Sequence, residues 1–211
     1  MRLVFASNNA HKLEEIRAIM PAGIEVLSLH DIGFEQEIEE TGLTLAENSK
    51  IKAETVYHWL SSDNGYSTVE GVFADDTGLE IDALGGEPGV FTARWYRLND
   101  GMSAAAPLND ERMIFAANRA KTLRELSGKT NRGAQFKTVI TLIRIAQNLT
   151  VQVEGVVRGR IATEEYGQGG FGYDPIFIPE GYDKTFGELP ADLKNSISHR
   201  ARAMEALVKI L

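Results

Sequence analysis

The sequence predicts an α/β fold with a mixed β-sheet, and three observations support this prediction. Short apolar runs alternate with segments of helical periodicity, as in folds that place helices on a sheet. Residues 136–145 and 150–158 resemble strands and are joined through Gln147-Asn148, which predicts a hairpin with antiparallel strands. The 211 residues are enough to bury a sizeable core, so we expect one compact domain over residues 1–211.

The first part of the chain predicts a strand, two helices and two further strands. Residues 3–6 form a continuous apolar run, which is typical of a strand buried on both faces. Residues 11–20 have helical periodicity, and Pro21 ends the helix because proline disfavours helix in the residue before it. A second helix, a polar loop and two strands are expected at residues 43–61, 61–65, 69–74 and 79–84.

The second part of the chain predicts two helices around the hairpin. Residues 99–109 have no periodicity and predict a connection that is either a lid or a linker. A helix is expected at residues 110–127, with Gly128 closing it. Residues 198–211 have the pattern of a terminal amphipathic helix.

Composition excludes several classes of function. The formal net charge is −8, from 22 Lys and Arg against 30 Asp and Glu, and an acidic chain without a long basic run disfavours binding to nucleic acid. The absence of cysteine excludes disulfides, thiolate metal sites and a cysteine nucleophile. Any chemistry therefore uses carboxylate, His, Lys or hydroxyl groups, and a phosphorylated ligand would need metal ions or lysines to neutralise it.

The sequence contains no segment that predicts membrane insertion. Uncharged stretches do not exceed nine residues, whereas a membrane-spanning helix needs about 20 apolar residues. Residues 1–6 lack the longer apolar region of a secretory signal. We therefore expect a cytoplasmic location and no membrane partner.

The loop Ser7-Asn8-Asn9-Ala10-His11-Lys12 leaves the first strand and enters the first helix. The backbone N–H groups and the positive dipole end at a helix N-terminus attract phosphate, and Lys12 adds a positive charge there. Most strand-to-helix loops are plain connections, because capping residues are needed at that place in any case. By itself this loop is a weak indication of a phosphate site.

The second helix has polar residues on its apolar stripe. Counted from Leu45 in steps of three and four, the stripe contains Asn48 and Lys52. These side chains either cap and extend along the rim of the core, or bring Lys52 to an anionic ligand or carboxylate, since buried lysines are rare unless paired. Glu40 lies shortly before the helix and is a candidate carboxylate.

Ala74-Asp75-Asp76-Thr77-Gly78 places two adjacent carboxylates after an apolar strand, where α/β folds usually build their sites. The same residues form a competent β-turn sequence, and a turn would be needed before both carboxylates could serve one ion. Glu40 is a third acidic candidate, and magnesium is held by a few oxygen ligands together with substrate phosphates. The segment therefore predicts either a turn or a magnesium site.

Two later segments are candidates for substrate binding. Residues 167–175 carry four glycines in six positions beside Phe171 and Asp174, which indicates either a glycine-rich bend or a close backbone approach to a ligand. Phe171 could stack on a planar base. Residues 194–200 open the last helix with several donors, although His199 and Arg200 alone are also typical of a solvated helix start.

Together these segments resemble the inosine triphosphate pyrophosphatase family, also termed XTP/dITP diphosphatases. The likeness spans nearly the whole chain, and although each motif is weak alone, their order is highly specific. The matching segments are residues 7–12, 40–42, 47–53, 74–79, 84–89, 169–175 and 198–200.

The resemblance implies an elongated α/β fold with a central mixed sheet and two lobes flanking a substrate cleft. It also implies a homodimer and Mg²⁺-dependent cleavage of purine nucleoside triphosphates such as ITP, dITP and XTP to the monophosphate and pyrophosphate. The family often has glycine where this chain has Asn8, and asparagine tolerates positive φ better than most residues.

The resemblance also implies residue roles, carried over by position. Glu40 and Asp76 would bind the metal, and Asp76 would accept a proton from water with Asp75 and Lys52 in support. The triphosphate would be lined by Ser7, Asn8, Asn9, Ala10, His11 and Lys12. The rest of the substrate site would comprise Thr77, Phe171, Gly172, Tyr173, Asp174, Lys194, His199 and Arg200.

Two other functions are compatible with some of these residues. A purine nucleotide-binding regulator would keep the base pocket without turnover, but it needs no water-activating carboxylate such as Glu40, Asp75 or Asp76. A glycosidase would use a carboxylate pair, but it would have no use for Lys12, Lys52 and the glycine-rich segment. Carboxylate-bound magnesium can activate water, so hydrolysis needs no cysteine or serine nucleophile.

Overall fold

The computed structural model describes residues 1–62, 68–98, 108 and 110–211. The predicted connection at residues 99–109 lies outside these residues except for Leu108, and so does most of the predicted loop at 61–65. The helices are α1 (Ala10–Ile19), α2 (Leu45–Ser61), α3 (Glu111–Glu125), α4 (Ala191–Ile197) and α5 (His199–Val208). The strands are β1 (Arg2–Phe5), β2 (Glu25–Leu27), β3 (Gly71–Ile81), β4 (Pro88–Gly89), β5 (Gly133–Arg144), β6 (Leu149–Ile161) and β7 (Phe177–Pro179).

The strands form one mixed sheet in the order β2-β1-β3-β5-β6-β7, with β4 paired to β3. β1 pairs in parallel with β2 and with β3, and Val4 lies opposite Val72 in the second pair. β3–β4 and β6–β7 are antiparallel pairs. The predicted α/β fold with a mixed sheet is therefore confirmed, and the predicted hairpin corresponds to the neighbours β5 and β6.

The chain divides into two compact units. Unit 1 comprises residues 1–77, 138–156 and 198–211, and unit 2 comprises residues 78–137 and 157–197. No helix of the described residues has the length and apolar character needed to cross a membrane.

Unit 1 has a hydrophobic cluster on each face of its sheet, because successive strand residues point to opposite sides. Leu3, Phe5 and Phe73 pack with apolar residues of α1 and α5. Val4 and Val72 pack in the other cluster, which contains the apolar residues of α2. Helices therefore cover both faces of β1 and β3, as the continuous apolar run at residues 3–6 predicts.

Unit 2 is built around aromatic side chains. Phe136 and Phe177 are in edge contact with ring centroids 4.7 Å apart, and Phe186 packs on Phe177 at 5.3 Å. Tyr173 belongs to the same buried cluster, and its hydroxyl donates to the carbonyl of Thr92 at 2.9 Å. Tyr173 is thus part of the core of this unit.

Several element boundaries differ from the predictions. The turn that was one alternative for residues 75–78 is wrong, because β3 continues through Asp75 and Asp76 to Ile81. α2 begins at Leu45, since the Thr44 hydroxyl accepts from the Glu47 N–H and Glu47 bonds back to Thr44. The predicted terminal helix ends at Val208 and is preceded by the separate helix α4.

Candidate active site

Two adjacent carboxylates of β3 lie on opposite faces of the sheet in unit 1. Asp75 contacts side chains of α1 and α5, whereas Asp76 contacts side chains of α2. Alternation along the strand therefore separates two neighbouring residues into different surroundings.

Asp75 is fully buried between two cations. Lys12 Nζ lies 2.9 Å from its Oδ1, and Arg200 Nε lies 3.4 Å from its Oδ2. Burial alone would raise the pKa of Asp75, but the charges of Lys12, Arg200 and Lys52 outweigh it and hold that pKa well below its usual value. Asp75 is therefore an ionised anchor for the two cations.

Asp76 has one cation and two neighbouring carboxylates. Lys52 Nζ lies 3.2 Å from Asp76 Oδ1, and the amide of Asn48 donates to Oδ2 at 3.4 Å. Burial raises the pKa of Asp76, the negative charges of Glu40 and Asp75 act in the same direction, and the lysines offset only part of this. A carboxylate with a raised pKa is a better proton acceptor than an ordinary aspartate.

Lys52 joins Asp76 to Glu40. Its ammonium lies 2.8 Å from Glu40 Oε1 and is almost completely buried. Burial lowers the pKa of Lys52, but the charges of Asp76, Asp75 and Glu40 outweigh it, so the pKa is raised and Lys52 stays protonated. The sequence allowed Lys52 either to extend along the rim of the core or to contact an anionic group. The structure shows the second arrangement, in which Lys52 contacts carboxylates.

The segment that carries Glu40 is fixed by a glycine. The Gly42 N–H donates to Asn48 Oδ1 at 2.8 Å, and a Cβ on Gly42 would lie 2.6 Å from that oxygen. Asn48 therefore holds the Glu40 segment with its oxygen and Asp76 with its nitrogen, which explains a polar residue on the apolar stripe of α2.

The Glu40 and Asp76 carboxylates form a donor set that fits magnesium. Both are hard oxygen donors that share one buried cation, and Mg²⁺ is commonly held by one or two carboxylates together with substrate phosphates. Within the described ranges, no group of three or more His, Cys, Asp or Glu side chains could hold a metal ion. This pair would therefore need oxygens from the substrate to complete a metal site.

The loop before α1 is arranged as a helix start. The Asn9 side chain accepts from the Lys12 N–H at 3.0 Å, and the Ser7 hydroxyl accepts from the Asn9 N–H. Asn8, Ala10 and His11 are exposed. Asn8 does not have positive φ, so its backbone is compatible with asparagine in place of glycine.

The start of α5 lies against β5 and α1. The Ser198 hydroxyl caps the helix by accepting from the Ala201 N–H at 3.1 Å. His199 Nδ1 lies 2.6 Å from the hydroxyl of Thr138. Arg200 donates to Glu15 as well as to Asp75, so the prediction of a solvated helix start does not describe these buried side chains.

A separate group of predicted site residues lies in unit 2. Asp174 Oδ2 accepts from the Phe171 N–H and from Lys194 Nζ, both at 2.7 Å. Lys194 Nζ lies 4.9 Å from the centre of the Phe171 ring. Arg119 donates to the Gly172 carbonyl at 2.8 Å. The glycine-rich segment is therefore ordered by buried charges, and Gly170 is required because a Cβ there would lie 2.0 Å from Asp174 Oδ2.

Unit 1 thus brings together Lys12, Glu40, Lys52, Asp75, Asp76, Thr77, His199 and Arg200, and unit 2 brings together Phe171, Gly172, Asp174 and Lys194. Sequence reasoning missed Glu15, Thr138 and Arg119. Glu15 had a signal, since it lies three residues after Lys12 and so on the same side of α1.

Comparisons with known proteins extend over the whole chain. A family model described as the Ham1 family matches residues 3–210. A Flavobacterium johnsoniae protein named dITP/XTP pyrophosphatase is 43% identical, covering 100% of this chain and 98% of its own. A Bacillus subtilis protein of the same name is 44% identical, with 99% and 96% covered.

Solved structures give the same result. A HAM1 protein from Coxiella burnetii has a TM-score of 0.79 and 33% identity, covering 100% of this chain and 98% of its own. The Staphylococcus aureus Ham1 protein has a TM-score of 0.77 and 35% identity, with 100% and 97% covered.

The opposite pKa shifts of the two aspartates predict opposite effects on stability. Asp75→Asn leaves Lys12 and Arg200 without their buried carboxylate and should lower the free energy of unfolding at pH 7 by about 3 kcal/mol. Asp76→Asn removes a carboxylate that burial disfavours and should therefore raise the free energy of unfolding. Urea unfolding in EDTA measures both, and each variant serves as the isosteric control for the other.

The pH dependence of folding stability follows from the directions of the two pKa shifts. The folded-state pKa of Asp75 lies below its unfolded value, so its stabilising effect is present above the unfolded pKa and is lost as the pH falls towards the folded pKa. The folded-state pKa of Asp76 is raised, so its destabilising effect begins as the pH rises above the unfolded pKa and is complete above the folded pKa. A loss of stability in Asp76→Asn at pH 7 would contradict this account.

Proposed function

The chain belongs to the Ham1 family, and on this basis we propose that it hydrolyses non-standard purine nucleoside triphosphates. The reaction would convert ITP, dITP or XTP to the monophosphate and pyrophosphate. This membership confirms the resemblance indicated by the sequence motifs. The observation that carries the proposal is Asp76, a buried carboxylate with a raised pKa that shares the ammonium of Lys52 with Glu40.

Asp76 is the proton acceptor in this proposal. Its raised pKa favours taking a proton from an attacking water, and Lys52 keeps its carboxylate in place. Asp75 supports it from the other face of β3 by holding Lys12 and Arg200. Direct attack of water at the α-phosphorus needs no covalent intermediate, which agrees with a chain that contains no cysteine.

Glu40 and Asp76 would hold Mg²⁺ together with substrate phosphate oxygens. When bound, the metal supplies positive charge that lowers the pKa of water and offsets charge on the phosphoryl oxygens. The protein has a net charge of −8, so a triphosphate needs such local positive charge, to which Lys12 and Lys52 also contribute.

The triphosphate would lie at the N-terminus of α1, contacting Ser7, Asn8, Asn9, Ala10, His11 and Lys12. This is supported by the exposed N-terminal residues of the helix and by the positive dipole end there. Lys12 combines a contact to Asp75 with a partly exposed side chain, so it can also meet an anion from solvent.

The purine would be bound by the remaining predicted residues. Phe171 offers an aromatic face, and Asp174 and Lys194 fix the segment on which it stands. Thr77, Gly172, Tyr173, His199 and Arg200 complete the proposed substrate site. Tyr173 contributes by anchoring this segment to Thr92.

We also propose a homodimer and a cytoplasmic enzyme whose 211 residues act as one two-lobed domain with a substrate cleft. These assignments follow from the family resemblance and the sequence, and nucleic acid and membranes are not among the proposed partners.

The proposed function is tested by pyrophosphate release from ITP and XTP with and without Mg²⁺. We expect release from both substrates that depends on Mg²⁺. A nucleotide-binding regulator would instead bind ITP in a calorimeter and release no pyrophosphate, and that result would overturn the proposal.

Asp76→Asn should reduce pyrophosphate release from ITP by roughly a thousandfold, because a proton acceptor and a metal ligand are lost together. The circular dichroism spectrum should be unchanged. If the variant kept a tenth of the parent rate at saturating Mg²⁺ and ITP, Asp76 would not have this role.

Lys12→Ala should mainly raise KM, since a phosphate contact made in both the ground and transition states contributes uniform binding. Lys50→Ala is the control, because Lys50 is an exposed lysine that pairs with Glu54 on α2. A fall confined to kcat would contradict a ground-state phosphate contact.

Arg200→Ala should lower kcat/KM for ITP far more than for ATP, because a donor pairs with the 6-oxo group of inosine and not with the 6-amino group of adenine. Phe171→Ala should lower both by similar factors, since stacking does not distinguish purines. Steady-state kinetics on ITP, XTP, GTP and ATP measure this, and an unchanged ITP-to-ATP ratio in Arg200→Ala would remove Arg200 from base recognition.

A further inference from the structure

A chain of hydroxyl groups connects Asp75 to His199 inside unit 1. The Thr77 hydroxyl donates to Asp75 Oδ2 at 3.3 Å. Thr77 Oγ1 lies 2.8 Å from Thr138 Oγ1, and Thr138 Oγ1 lies 2.6 Å from His199 Nδ1. Thr138 is completely buried, and neither the motifs nor the proposed reaction uses it.

The direction of these hydrogen bonds is set at the Asp75 end. Asp75 lies between Lys12 and Arg200 and is ionised, so its oxygens can only accept. The single proton of the Thr77 hydroxyl is therefore used towards Asp75. Thr77 Oγ1 must then accept in its contact with Thr138.

The hydroxyl of Thr138 in turn fixes the proton of the His199 imidazole. A threonine hydroxyl has one proton to donate, and Thr138 uses it towards Thr77. Thr138 Oγ1 can then only accept from His199, so Nδ1 carries a proton. In a neutral imidazole the other nitrogen, Nε2, then carries the lone pair and is an acceptor.

Neighbouring elements hold His199 next to these hydroxyl groups. β6 packs against the first turn of α5 so closely that a Cβ on Gly155 would lie 2.2 Å from the His199 carbonyl and 2.3 Å from the Ala203 nitrogen. The Ser198 cap fixes the same turn. The backbone of His199 is therefore held against the sheet, within reach of Thr138.

We propose that Thr138 is a positioning residue that holds His199 as the Nδ1–H tautomer, so that Nε2 presents a hydrogen-bond acceptor to the substrate. The substrate part rests on the proposed function. N1 of hypoxanthine and xanthine carries a proton, whereas N1 of adenine carries a lone pair. An acceptor on His199 therefore favours 6-oxopurines over adenine and supplements the donor role proposed for Arg200.

The tautomer is measured by multiple-bond ¹H–¹⁵N correlation spectra of the full-length ¹⁵N-labelled protein without nucleotide, at a pH where the ring carries one proton. Loss of signals in His199→Gln assigns His199 among the four histidines. We expect a protonated Nδ1 and an unprotonated Nε2 in the parent. Thr138→Val should shift His199 towards the Nε2–H form that predominates in water, and Thr138→Ser should restore the parent pattern.

Thr77→Val gives a sharper test, because it removes the hydroxyl group that links Asp75 to Thr138 and leaves Thr138 itself unchanged. The Thr138 proton is then released from Thr77 and can be donated to Nδ1, so the tautomer should invert while the Thr138–His199 hydrogen bond remains. Thr141→Val is the matched control, since Thr141 is an equally buried threonine of β5 whose hydroxyl bonds to Ser49 and Gln152. It should leave His199 unchanged.

An Nε2–H tautomer in the parent would overturn the proposal, and this result needs no variant to fold. Persistence of the Nδ1–H form in Thr77→Val or Thr138→Val would also overturn it.

The kinetic consequence is tested separately. The ratio of kcat/KM for ITP to that for ATP should fall about tenfold in Thr138→Val and be kept in Thr138→Ser and Thr141→Val. An inverted tautomer with an unchanged ratio would overturn the substrate part alone. If the parent hydrolysed no nucleoside triphosphate, the proposed function would fail while the tautomer assignment stood on its spectrum.

Discussion

Unit 1 depends on the burial of two neighbouring carboxylates on opposite faces of one strand. Burying a carboxylate is unfavourable unless cations and hydrogen-bond donors surround it. Each face of β3 therefore needs its own cations and donors. α1 and α5 supply Lys12 and Arg200 to Asp75, and α2 supplies Lys52 to Asp76. Helices on both faces are therefore an electrostatic requirement as well as a way to cover apolar strands.

The arrangement gives two adjacent aspartates opposite chemistry. Asp75 has two direct cations and stays ionised, whereas Asp76 shares one cation with Glu40 and has a raised pKa. Environments that push the pKa values of neighbouring groups apart are typical of active sites. Alternation along a strand achieves this with consecutive residues, because it places them in separate surroundings without a turn.

Much of this site could be predicted from residue types and local pattern. The apolar run of β1, the polar break in the α2 stripe and the acidic pair within β3 each identified residues that the structure brings into contact. The turn that was one alternative for residues 75–78 was a wrong prediction. Local turn propensity contains no information about the cations that distant helices supply to these carboxylates. Thr138 was missed for a related reason: its bonds to Thr77 and to His199 each join residues 61 positions apart, and the order of strands decides them.

The hydroxyl chain shows how one charged group can set the state of a distant neutral one. Asp75 is too deeply buried to act directly on a ligand in solvent, yet its ionised form fixes the proton of Thr77, then that of Thr138, and so the tautomer of His199. Each step fixes only which atom donates and which accepts in a hydrogen bond. No additional charge is therefore placed in the core. The carboxylate that anchors Lys12 and Arg200 thereby also determines whether His199 donates or accepts at Nε2.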